Sequence, residues 1–146
     1  MNASNPSLTF FITLARVNAV MARRFDGHLG GHHGLGFNDF IILYHLNEAT
    51  NGRLRRIDLA EKIGLTASGV TRLLAPMEKI GLIQREVTEH DARVSFVAIA
   101  PGGKRLFNDA LVTAIETVED ILPQNSLKDI EKMNEFLATL SSVSIY

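Results

Sequence analysis

The sequence contains no cysteine. That excludes disulfides, thiol redox sensing and cysteine-held zinc, and it permits a reducing compartment. No apolar run approaches the roughly 20 residues that a membrane-spanning helix needs. The opening stretch MNASNPSLTFF has neither the basic region nor the clear cleavage site of a secretory signal, so the expected location is cytoplasmic. Internal repeats and low-complexity tracts are absent. So are a nucleophile elbow, a His-Glu zinc helix and a carboxylate pair on a recognisable catalytic scaffold. The glycine-rich DGHLGGHHGLG, Asp26–Gly36, has neither the lysine nor the preceding strand of a phosphate-binding loop. The expectation is a protein that is not an enzyme and carries no cofactor.

What is present is a chain of 146 residues, 46% hydrophobic and 21% charged, which suits one globular domain. Its net charge of −1 hides an asymmetry. Residues 53–105 hold ten Lys/Arg against six Asp/Glu, a local +4, while the remainder holds five against ten, −5. Fields are screened over about 10 Å at ordinary salt, so local charge outweighs the total. The middle of the chain is a candidate polyanion surface.

Periodicity predicts mostly helix. Ser7 to Asp26 carries a wide apolar stripe including Leu8, Phe11, Ile12, Leu14, Val17, Val20, Met21 and Phe25. The five glycines of Asp26–Gly36 predict a loop. A helix follows over Phe37–Glu48, with Phe37, Phe40, Ile41 and Tyr44 on one face, and ATNGR breaks it. Two short helices are predicted next, Ile57–Ile63 ended by Gly64, and a second reaching Lys79, capped by Thr66 or Ser68. Pro76 should bend the second helix or loosen its last turn. Then LIQREVTEHDARVSFVAI, Leu82–Ile99, reads as a β-hairpin: apolar–polar runs Leu82–Val87 and Val94–Ile99 around a charged tip, Thr88–Arg93. An isolated two-stranded hairpin is marginal in water, so its inner face must pack on something. Helices over Pro101–Leu122 and from a Ser126 cap to Val143 complete the chain.

Helix, glycine turn, helix, hairpin is the order of a winged helix-turn-helix. The face of the second short helix turned from its apolar side is Thr66, Ser68, Gly69, Thr71 and Arg72. Small residues let a helix seat deeply in a major groove, arginine can take guanine in a bidentate contact, and hydroxyls can bond bases or phosphates. An ordinary solvated face is the competing reading. The hairpin adds a wing whose Arg93, held by Asp91, suits the negative potential of the minor groove. Arg55, Arg56, Lys79 and Arg85 would meet phosphates or brace the wing.

The stretch LAEKIGLTASGVTRLLAPMEKIGLIQREVTEHDARVSFVAIAPGGKRL, Leu59–Leu106, resembles the MarR family of winged helix-turn-helix transcriptional regulators. The resemblance rests on MEKIGL, on Arg85, on Asp91-x-Arg93, and on Val97, Ile99 and Gly103 at the family's spacing. Flanking helices extend it over nearly the whole chain. It implies a mainly α fold with a small β-hairpin wing. The single domain, 1–146, would hold a winged helix-turn-helix over about 37–100, flanked by dimerisation helices over about 7–26 and 102–143. It further implies a homodimer that binds double-stranded DNA at a pseudo-palindromic operator, most simply as a repressor, and responds to a small-molecule ligand. Two departures stand out: Ile99-Ala100 replaces the usual Leu-Thr before the long helix, and Arg56 stands where a small hydroxyl residue often caps the first short helix.

Leu8, Ile12, Leu127, Ile130, Phe136, Leu137 and Leu140 are the candidate dimer residues, with an intramolecular core as the alternative. Ligands in the family are often aromatic or phenolic and sit where the wing domain meets the dimerisation helices, which makes Phe10, Phe11, Phe37 and Phe40 candidates; each also suits plain core. His28, His32 and His33, with Asp26, are weak metal candidates, since flexible loops seldom preorganise ligands. His45 suits a half-buried helix position, and His90 the wing tip. The rival function is a metal- or small-molecule-binding protein that uses the winged domain for protein contacts.

Overall fold

The computed structural model describes residues 4–88, 91–124 and 127–142, with the backbone alone at 88 and 91–93. The tip residues Glu89 and His90, the Ser126 cap and Val143 lie outside the described residues. The order is α1 (Pro6–His33), α2 (Phe37–Glu48), β1 (Arg53–Arg55), α3 (Arg56–Ile63), α4 (Ala67–Lys79), β2 (Ile83–Thr88), β3 (Asp91–Ile99), α5 (Pro101–Ile121) and α6 (Leu127–Leu140). This is a mainly α protein with a small antiparallel sheet.

The wing is not a lone hairpin. The sheet has three strands in the order β1-β3-β2, with Leu54 opposite Val97 and Arg85 opposite Val97 on its other side. A tight turn at Thr50–Gly52, with Asn51 and Gly52 both at positive φ, throws the chain from α2 into β1. Strand β2 is displaced by one residue from the expected Leu82–Val87, β3 begins three residues before the expected Val94, and the register shifts between Val87 and Thr88.

Helix α2 is the hub. It packs against α1, β1, α3, α4, β3 and α5. Its Phe40, Ile42, Leu43 and Leu46 are buried, whereas Tyr44, expected on the inner face, is exposed. Leu29, Leu35, Leu59, Val70, Met77 and Phe107 close around it. Phe25, Phe40 and Phe107 make edge or tilted ring contacts at 5.1 and 5.3 Å, geometries that aromatic pairs favour.

The glycine-rich segment is helix, not loop. Helix α1 continues through it to His33 and ends at Gly34, which takes a left-handed conformation. Tertiary packing overrides the poor helix propensity of glycine: Leu29 is fully buried, and His28 and His33 hydrogen-bond Thr117 and Thr113 of α5 at 3.1 and 2.9 Å. Helix α4 likewise continues through Pro76 to Lys79.

Helix α4, the sheet and α5 meet at one residue. The Leu82 amide donates to the Met77 carbonyl (3.0 Å), closing α4 beside Gly81, whose φ is +83°. The Leu82 carbonyl accepts from Ala100 (3.0 Å) at the start of α5. Gly103 lies so close beneath that a Cβ there would collide with the Leu82 carbonyl. The missing threonine cap of α5 is thus offset by Pro101 in its first turn and by the Ala100 bond to Leu82. Gly103→Ala should therefore destabilise the protein by about 1–3 kcal/mol, since backbone must move to admit one methyl group; urea unfolding would show it as a lowered midpoint, and an unchanged midpoint would refute the close approach.

Candidate nucleic-acid interface

The turn between α3 and α4 is built from two local devices. Gly64 ends α3 at φ +69°, and the Leu65 amide returns to the Ala60 carbonyl at 2.9 Å, a glycine C-terminal closure. Thr66 then caps α4, its Oγ1 accepting from the Gly69 amide at 3.1 Å. Ser68 lies beside it, with the two hydroxyl oxygens 3.2 Å apart. Val70, Leu74 and Met77 anchor the inner face of α4. Thr66, Ser68, Arg72, Ala75 and Lys79 are exposed. Among the described residues Arg72 makes no ion pair, so its guanidinium is open to an incoming acceptor.

The other cations differ. Arg55 is held by Asp58 through two bonds of 2.7 and 3.1 Å, and that hydrogen-bonded pairing raises its pKa. Arg85 lies 3.9 Å from Glu78, an exposed pair of small energetic weight. Arg56, half-buried, donates to Thr71 Oγ1 at 2.6 Å and to Ser95 Oγ at 3.4 Å. Arg53, which sequence reasoning left out, pairs with Glu86 across the sheet at 3.1 Å and lies over the Phe96 ring at 4.9 Å. The Asn51-Gly52 turn dipeptide was the available signal for the strand that carries it. Arg93 and Asp91 belong to β3, and their side chains lie outside the described set.

A short capped helix displaying hydroxyls and a free arginine, flanked by a three-stranded wing, is a groove-reading arrangement. A family model for the MarR family matches residues 33–94. The HTH-type transcriptional regulator MhqR of Bacillus subtilis (strain 168) is 28% identical over 134 residues, covering 90% of this chain and 88% of that protein. Over this stretch the chain is similar to the MarR family. It carries the winged-helix fold, and relatives that it matches by sequence are HTH-type transcriptional regulators. A MarR family regulator from Streptomyces coelicolor, solved in complex with DNA, superposes with a TM-score of 0.80 at 20% identity, covering 99% of this chain and 95% of that one. CouR from Rhodococcus jostii RHA1, bound to p-coumaroyl-CoA, gives 0.83 at 19% identity, with 99% of each chain covered.

The four phenylalanines expected to line a ligand site do not converge. Phe10 packs on Phe11 and on Phe136 of α6, with ring centroids 5.6 and 5.5 Å away. Phe40 is buried in the core, and Phe37 stacks on Phe25 at 5.5 Å. Only Phe37 of the four lines the open cleft of about 410 Å³ between α1, α2 and α4, together with Asn18, Asp26, Asn38, Asp39 and Leu73. The histidines are spread along α1 rather than gathered in a loop. His32 Nδ1 lies 2.8 Å from the His28 carbonyl, and among the described residues no group of three potential ligands is arranged to hold a metal. His45 is half-buried on α2, and burial, with Lys62 nearby, lowers its pKa.

The candidate dimer residues lie on an uncovered surface. Ile12 is 65% exposed, Leu127 68% and Phe136 47%, with Leu8 and Leu137 also exposed. Ile130 and Leu140 are half-buried, and α6 buries no residue. Among the described residues no helix is long and apolar enough to cross a membrane.

In the cleft, the Asp26 carboxylate accepts from the Phe37 amide at 2.6 Å, capping α2. Burial, opposed by a hydrogen bond from Gly36 and assisted by the charge of Asp26, raises the Asp39 pKa. A carboxyl whose pKa is raised by folding adds stability while protonated and loses that contribution as pH rises through its folded pKa. Asp39→Asn should accordingly stabilise the protein at pH 7, with the gap closing as pH falls into the carboxylate range. Urea midpoints across that range would test this; a variant less stable at neutral pH would show that the charge favours the α2 terminus instead.

Proposed function

We propose that this regulator is a cytoplasmic homodimeric repressor of a pseudo-palindromic operator, relieved by a small-molecule ligand. The observation that carries the reading is the outer face of α4, where Thr66, Ser68 and the unpaired Arg72 stand exposed beside the wing. Arg72 would take a guanine in the major groove. Lys79, Arg55 and Arg85 would meet phosphates, and Arg93, with Asp91, would enter the minor groove. The DNA complex of the Streptomyces relative supports this use of the fold.

Dimerisation follows from the two ends of the chain. The first buried residue of α1 is Phe25, so its N-terminal half, bearing Leu8, Phe11, Ile12, Val17 and Val20, has no core beneath it. Exposed apolar α6 adjoins it through the Phe10–Phe136 contact. A second copy burying this surface would recover about 25 cal/mol for each Å² of apolar area. A two-fold axis there would set the α4 helices about one DNA turn, ~34 Å, apart. The ligand would enter the cleft lined by Phe37 and Asp39; that CouR, of the same fold, is bound to p-coumaroyl-CoA supports a ligand for this fold.

The deciding experiment is a selection of purified protein on random duplex DNA, with affinity followed against salt. A palindrome with half-sites about one turn apart, and a steep loss of affinity with salt, is expected; weak binding without a motif would overturn the reading. On the selected duplex Arg72→Ala should cost about 1–3 kcal/mol and relax preference at one base pair, whereas equal weakening on all sequences would reassign Arg72 to a phosphate. Phe136→Glu should convert the dimer to monomer in sedimentation velocity, and a variant that stays dimeric would move the interface elsewhere.

A further inference from the structure

Arg56 is the departure from the family's pattern that the fold puts to use. It opens α3, but its side chain leaves that helix. One arm of the guanidinium donates to Thr71 on α4 at 2.6 Å, and the other reaches Ser95 on β3 at 3.4 Å. The Thr71 hydroxyl has one proton, which goes to the Ala67 carbonyl at 2.8 Å. Its oxygen is therefore left to accept, and Arg56 supplies the donor. Asp58, the nearest carboxylate in sequence, is occupied by Arg55, and among the described residues Arg56 has no ion-pair partner.

We propose that Arg56 is a positioning residue that straps the recognition helix to the wing and withdraws Thr71 from base reading. The strap sets the angle between the two elements that enter adjacent grooves. Only a planar fork suits it: the two acceptors lie on different elements, and guanidinium presents divergent donors in a rigid plane while ammonium is a single point. The inference rests on the DNA-binding reading above and refines it, because Thr71 moves from base contact to structural acceptor.

The test compares Arg56→Lys, Thr71→Val and the double variant with native protein, on the selected duplex and on a scrambled duplex, across a salt series. Arg56→Lys keeps the charge and breaks the fork. Each single variant should lose about tenfold affinity for the selected duplex, and the double variant no more than either, because the residues act as one unit. The salt slope and affinity for scrambled DNA should stay unchanged, since no phosphate contact is removed. Native-like binding by Arg56→Lys would make Arg56 a phosphate contact and overturn the strap. Additive losses, or a change of preferred base in Thr71→Val, would do the same. Thermal melting of the same set separates the two readings. If the native protein selects no duplex, the DNA reading has failed; non-additive melting shifts for Arg56→Lys and Thr71→Val would then still establish the strap, and additive ones would remove it. Should Arg56→Lys not fold, Thr71→Val with Ser95→Ala carries the same comparison.

Discussion

The architecture turns on the backbone of one residue. Leu82 ends α4 through its amide, ties in the start of α5 through its carbonyl, and leads directly into β2. The close approach of Gly103 leaves no slack at this joint. Interiors packed at crystal-like density transmit displacement rather than absorb it. The orientation of α4 relative to α5 is thus set within a few atoms, and so is the route from the wing domain to the helices that would carry a partner.

A second joint lies at the other side of α4. There α3 and α4 meet over Gly64 and Thr66, and the Arg56 side chain spans both helices and the sheet. One joint is made of backbone and the other of side chains. Around them the charges divide by role. Among the described residues Arg53, Arg55 and Arg85 face carboxylates, and Arg72 does not. A cation without an internal partner gives up little when it meets an external one.

The outer helices obey a different constraint. Helix α1 spans 28 residues, yet only Phe25 and Leu29 are buried in it, and α6 buries none. Apolar side chains kept in water along two adjoining helices are unfavourable for an isolated chain and match an association surface. The cleft with Asp26 and Asp39 lies between α1, α2 and α4, beside that surface.

Helix periodicity, the glycine closures, the Thr66 cap and the hairpin alternation were all readable in the sequence, because each depends on neighbours a few residues away. That is why the winged order, the outward face of α4 and the MarR resemblance were visible from residues alone. Strand β1 was not: three residues carry no period, and Arg53–Arg55 becomes a strand only because β3 offers it an open edge. The helical state of residues 27–33 was hidden for a related reason. Three glycines argue locally for a loop, and burial of Leu29 with the His28 and His33 bonds to α5 decides otherwise. The roles of Arg56 and Thr71 depend on contacts 15 and 39 residues apart in sequence, a separation at which spacing carries no information. The sequence by itself determined which short elements form and in what order, through local hydrogen bonding and apolar period. Only the tertiary structure decided which polar groups are spent inside the fold and which remain for a partner, because that depends on what each side chain meets across elements.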